Sequence, residues 1–159
     1  MYLYGSNTSY LTYKEAELDY LCTTAGIGSM ETCNQLASEG NLWIFTSDVV
    51  TPECCSCCTY EQGCGPLTQT WMEDASFEGQ TTVGGQAANM WKIEGNEANY
   101  YYDSVDARIP LLLNNSGNQL FYYDAASYTT DFDTAMFNVP AMCSGAPLCP
   151  GFCAKIRSM

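Results

Sequence analysis

Apolar and polar positions follow two different periods along this chain. Between residues 12 and 40 the apolar positions recur at helical spacing. Thr12 with Glu15 three residues on has the form of a capping box, and Leu18, Leu21 and Cys22 then share one face. Ser29 caps a second run, in which Met30, Cys33, Leu36 and Ala37 keep the spacing until Gly40 ends it. Two short helices are therefore expected. Leu42-Trp43-Ile44-Phe45-Thr46, aromatic and β-branched, predicts a strand. Pro52, Gly63, Gly65 and Pro66 predict a loop over 51–70.

Beyond Trp71 the period shortens to two, with turns at regular intervals. Strands are expected over Phe77 to Val83, Ala88 to Glu94, Ala98 to Asp103, Arg108 to Leu113, Gln119 to Asp124 and Phe132 to Val139. The connections carry Gly or Asn where positive φ is needed: Gly84-Gly85, Gly95-Asn96 and Asn114 to Asn118. Pro140 stops the last strand. Alternation directs Trp91 with Ile93, Leu111 with Leu113, and Phe121 with Tyr123 toward a core.

The fold class read from this pattern is mainly antiparallel β, a meander sheet preceded by two short N-terminal helices and rich in disulfides. At 159 residues one core suffices, so 1–159 is read as a single domain. Within it lie a helical segment at 12–40, a strand with a cysteine-rich stapled loop at 42–70, the meander at 71–143 and a cysteine-containing tail at 144–159.

Ten cysteines interrupt this pattern, at 22, 33, 54, 55, 57, 58, 64, 143, 149 and 153. Such density belongs to an oxidising compartment, which favours disulfides at Cys22, Cys33, Cys54, Cys55, Cys57, Cys58, Cys64, Cys143, Cys149 and Cys153. Zinc is the competing reading, because Cys54-x-x-Cys57 and Cys55-x-x-Cys58 have ligand spacing. It leaves several cysteines without a role. The spacing does not decide the connectivity, although Cys22 and Cys33 flank a Gly-containing turn whose closure would stabilise the fold by about 3 kcal/mol. A longer staple is expected between the 54–64 cluster and the 143–153 tail.

Charge narrows the partners. Eighteen carboxylates stand against five Lys and Arg, a net charge of −13, so nucleic acid and anionic lipid surfaces are disfavoured. No run of apolar residues is long enough for a membrane helix. The opening residues lack a signal-peptide pattern, so an exported form is expected to have its targeting segment outside this chain. Asn7-Thr8-Ser9 and Asn114-Asn115-Ser116 are glycosylation sequons, which makes Asn7 and Asn114 candidate acceptors and agrees with export.

Histidine is absent, so Ser-His-Asp and Cys-His catalysis and His-ligated metals are excluded. Paired carboxylates such as Glu73/Asp74, Asp103/Asp106 and Asp131/Asp133 leave a two-carboxylate glycosidase as a remote alternative. No phosphate loop or calcium loop occurs. A non-catalytic domain without metal or cofactor is expected.

The ordered set Cys54-Cys55-Ser56-Cys57-Cys58, Gly63-Cys64-Gly65, Trp71, Phe77-x-Gly79, Val83-x-Gly85, Trp91, the Tyr-rich strand with Asp103, and Phe137-x-Val139-Pro140-x-x-Cys143 resembles secreted ependymin-like proteins of the LolA-like superfamily, notably their protist relatives. The likeness spans roughly residues 42 to 153. It implies a strongly curved antiparallel sheet, a half-barrel whose concave side encloses a hydrophobic ligand, with Trp91 and the Phe137–Pro140 segment as structural signature positions. Two functions follow as expectations. One is binding of a lipid-like or amphipathic molecule by Trp43, Phe45, Trp91, Ile93 and Leu113. The other is a structural role among protein subunits of an extracellular assembly.

Overall fold

The computed structural model describes residues 2–3, 8–13, 15, 19–28, 31–47, 53–67, 70–94, 98–115, 119–127, 129, 131 and 133–159. Asn7, Leu18, Ser29, Met30, Pro52, the Gly95-Asn96 turn, residues 116–118 and Phe132 lie outside them. The fold is mainly antiparallel β, with two five-stranded sheets and five disulfides. The sequence reading treats 1–159 as one domain, and the contacts organise it as two compact units: Met1–Gln69 with Asp133–Met159, and Thr70–Phe132. The second unit is an insertion within the first.

In the first unit the strands β1 (Tyr2–Leu3), β2 (Thr8–Tyr13), β3 (Cys33–Ser38), β4 (Asn41–Thr46) and β5 (Cys54–Thr59) pair in chain order. Three sequence expectations are corrected here. Thr12 opens no helix, because it lies in β2, where its hydroxyl donates to Asn34 Oδ1. The helix that does form, α1 (Tyr20–Thr24), starts later, with the Asp19 carboxylate accepting from the Leu21 and Cys22 amides. The second expected helix is the strand β3, all six residues of which are buried. A strand covered on both faces loses its alternation, so Cys33, Leu36 and Ala37 mimic helical spacing. The third correction is at 51–70, where the cysteine run expected in a loop is β5 itself.

The pleat of β5 sorts its cysteines between the two faces of the sheet. Cys54, opposite Phe45, bonds Cys143, whereas Cys55, opposite Ile44, bonds Cys149 on the other face. A bulge between Leu42 and Trp43 makes Cys57 the extra residue, so Cys57 and Cys58 turn to the same side with their sulfurs 3.6 Å apart. Cys57 bonds Cys153, Cys58 bonds Cys64, and Cys22 bonds Cys33. Three bridges thus realise the expected staple between cluster and tail.

Each face of this sheet has its own cover. On one, Cys22, Cys33, Ala37, Leu42, Ile44, Cys55 and Cys57 form a core under α1 and the C-terminal helix α2 (Phe152–Arg157). On the other, Ser38 Oγ donates to the Phe137 carbonyl at 2.8 Å. Phe137 closes a single 3₁₀ turn, Thr134–Phe137, capped by Asp133; the expected final strand Phe132 to Val139 does not form there. Pro140 and a local Asx cap favour that turn over a ladder. Gly151 starts α2 where nothing larger fits, because a Cβ there would lie 2.2 Å from the Thr24 carbonyl oxygen.

The tail also closes the free edge of β5. The Ser56 amide donates to the Pro147 carbonyl and the Cys149 amide to the Ser56 carbonyl, a short parallel bridge. Arg157 then donates to the carbonyls of Cys57 and Cys149, the latter at 2.7 Å. Truncating Arg157 to alanine is expected to lower stability by about 2 kcal/mol, the worth of charge-assisted hydrogen bonds at a half-buried site. A shifted urea midpoint at unchanged slope checks it.

The second unit is the expected meander: β6 (Ser76–Val83), β7 (Gln86–Ile93), β8 (Asn99–Ser104), β9 (Pro110–Asn115) and β10 (Gln119–Tyr122), paired in chain order. Gly84 and Gly85, both at positive φ, make its first hairpin turn. Asn114 stands within β9 opposite Leu120 and is half-buried, not at a hairpin tip. No helix among the described residues is long and apolar enough to cross a membrane.

Candidate functional site

The registers of the second sheet place one side chain from every strand in a single cross-strand row. Phe77 pairs with Trp91, Trp91 with Tyr101, Tyr101 with Leu113, and Leu113 with Phe121. Residues directly opposite share a face, so five strands contribute four aromatic rings and a leucine to one stripe. Ile93, two residues from Trp91, extends it. Phe77 and Trp91 are 5.2 Å apart by ring centroid, and the Trp71 ring meets Tyr101 edge-on at 5.1 Å. Phe77, on the edge strand, is 53% exposed.

A polar clamp borders this stripe. Asp103 is buried and its carboxylate accepts from three side chains: Asn89 Nδ2 at 2.9 Å, Trp91 Nε1 at 3.3 Å and Arg108 Nε at 2.6 Å. Gln80 Nε2 donates to Asn89 Oδ1, which brings in β6. Arg108 also lies over the Trp91 ring, 4.8 Å from its centroid. Its backbone is left-handed at φ 55°, which the Ser104–Ile109 turn enforces: the Arg108 amide donates to the Ser104 carbonyl and the Ile109 amide to Ser104 Oγ. That turn throws the guanidinium back over the sheet. The clamp thereby fixes the Trp91 ring plane and leaves hydrocarbon, not charge, along the rest of the row.

The opposite face of the sheet carries Met90, Lys92, Tyr100 and Tyr102. Burial pushes the Tyr102 phenol above its ordinary range, and a hydrogen bond to Glu94 raises the Lys92 amine. Leu120 and Tyr122, on the same face of the last strand, are strongly exposed.

Of the five residues singled out for ligand contact, the structure brings Trp91, Ile93 and Leu113 onto one face of the second sheet. Trp43 and Phe45 belong to the first unit, where Phe45 is buried with Tyr10 6.2 Å away by ring centroid. Trp43 Nε1 is buried without a hydrogen-bond partner among the described residues. Phe77, Tyr101 and Arg108 escape sequence reasoning, and Phe121 enters it only as a core position. Counting outward from the Gly84-Gly85 turn pairs Phe77 with Trp91 only when the bulge between Phe77 and Gly79 is included.

The sulfurs of Cys57, Cys58 and Cys64 lie within 4.8 Å of one another, a cluster different from the Cys54-x-x-Cys57 and Cys55-x-x-Cys58 pairs on which the zinc reading rests. All three are held in disulfides, so none offers a thiolate to a metal. No family model, curated protein or solved structure matches the chain.

Proposed function

We propose that this chain is a non-catalytic, disulfide-stabilised domain of an extracellular or lumenal medium, and that its second unit binds a lipid-like or amphipathic molecule along the aromatic row. Five disulfides suit such an oxidising medium. The observation that carries the reading is the row itself: Phe77, Trp91, Tyr101, Leu113 and Phe121 aligned across five strands, with Phe77 half in solvent. A stripe of rings with Trp91 held by the clamp offers apolar contact at small entropic cost, and Tyr101 is an aromatic residue with a polar tip. The resemblance to ependymin-like proteins supports the same class of ligand, and we place the chain as a distant relative of them.

An uncharged naphthylamine probe, N-phenyl-1-naphthylamine, tests this without repulsion from the acidic surface. Fluorescence enhancement is expected with the native chain, and the Phe77→Lys variant should bind about fivefold more weakly, the loss of an aromatic contact worth roughly 1 kcal/mol. Equal enhancement by both proteins, or none with either, rejects the row as a binding surface. A second reading, a subunit of an extracellular assembly, is favoured by the exposed Leu120 and Tyr122 at the open edge of the same sheet.

A further inference from the structure

We infer that the outer edge of β10 is a self-pairing surface, through which two copies of this chain join their second sheets antiparallel about a two-fold axis at Phe121. The inference rests on the assembly reading and names its partner. It starts from how differently the edges of the two sheets are treated. The β5 edge is bonded to residues 147–149 and capped by Arg157. The β6 edge is broken by a bulge at Glu78, which sets a carboxylate and Gly79 into the ladder. Both are standard ways of preventing edge pairing. Among the described residues β10 has neither device: its residues Gln119-Leu120-Phe121-Tyr122 are regular, uncharged and free of proline.

Backbone alternation says which groups that edge presents. The Tyr123 amide donates to the Leu111 carbonyl, so the Phe121 and Gln119 groups turn toward β9. Those of Leu120 and Tyr122 then point outward. With Phe121 opposite its own copy, Leu120 of each chain faces Tyr122 of the other, and the outward amides and carbonyls form four ladder hydrogen bonds. The side chains agree with that register. Leu120 is 51% and Tyr122 70% exposed, and each would cover the other twice by symmetry. The Phe121 rings would meet at the axis and join the two aromatic rows end to end.

Charge selects a second copy over a charged partner. Two chains of net charge −13 repel, and the stretch between Arg108 and Asp124 that holds β9 and β10 carries no charged residue at all. Like charges are therefore kept away from this edge and from no other strand pair of the sheet. The pairing area is small against the roughly 1,200 Å² of stable complexes, so association is weak and concentration-dependent. Added salt screens the repulsion and strengthens it.

Sedimentation velocity over a concentration series into the millimolar range tests this, paired with hydrogen exchange at the two ends of the series. The mass is expected to rise toward a dimer, more so at high salt, while the Leu120 and Tyr122 amides gain protection. Tyr122→Lys should weaken association at least tenfold at an unchanged urea midpoint, and Tyr122→Phe should retain it. A chain monomeric throughout overturns the inference, as does undiminished association of Tyr122→Lys or protection gained at β6 instead. A monomeric chain that crosslinks through β10 to a different extracellular protein overturns the self-pairing but leaves the assembly reading standing.

Discussion

Replacing the six cysteines of the Cys54–Cys143, Cys55–Cys149 and Cys57–Cys153 bridges by alanine is expected to leave the first unit unfolded, or nearly so, at 37 °C. Each bridge spans about the same long loop, with separations of 89, 94 and 96 residues. Closing a loop of that length once is worth about 4.7 kcal/mol on the chain-entropy model, comparable with the whole stability of a small domain. The three contributions do not simply add, because any one of them already holds the long loop shut. Removing Cys57 and Cys153 alone opens only the short ring beyond Cys55 and Cys149, and the expected loss is about 2–3 kcal/mol. Urea unfolding of the two variants separates the cases. A loss of about 4.7 kcal/mol from the single bridge would show that the bridges do not share one loop.

The second large effect is expected at Asp103. Its truncation to alanine strands the buried Asn89 amide and the Trp91 indole N–H, both of which now donate to it. Each orphaned donor costs roughly 1–3 kcal/mol, so a loss of about 3 kcal/mol is expected. The ion pair with Arg108 adds little to that figure, since the guanidinium side chain is 56% exposed and turns to water. Arg108→Ala should therefore be much milder than Asp103→Ala, and Asp103→Asn, which keeps one acceptor oxygen, should fall between them. Urea midpoints read by tryptophan fluorescence give the ranking; an Arg108→Ala loss as large as that of Asp103→Ala would overturn it.

How legible these features are in the sequence depends on which faces are covered. The meander can be read because its turns carry Gly and Asn at fixed spacing and its strands alternate. β3 cannot, because both of its sides are buried and Cys33, Leu36 and Ala37 then satisfy either period. β5 is hidden for a related reason: cysteine is a poor strand signal by itself, and the covering tail lies about ninety residues away. In the candidate site Trp91, Ile93 and Leu113 follow from alternation alone. Phe77 and Tyr101 require register, which the bulge at Glu78 shifts, and Arg108 requires a left-handed turn that no composition rule assigns to arginine.

The insertion of the second unit between β5 and its covering tail also sets an order of events during synthesis. Cys54, Cys55 and Cys57 leave the ribosome well before Cys143, Cys149 and Cys153 do. At the usual 5–20 residues per second the delay is roughly 5–20 s. Through that interval the strand has its thiols but not their partners, beside Cys58 and Cys64, which are already at hand. The pairings within reach during it include non-native ones among Cys54, Cys55, Cys57, Cys58 and Cys64. Reaching the native set then depends on thiol–disulfide exchange after the last helix has emerged, so the final yield is governed by the redox buffer and by isomerase supply in the compartment where the chain is made.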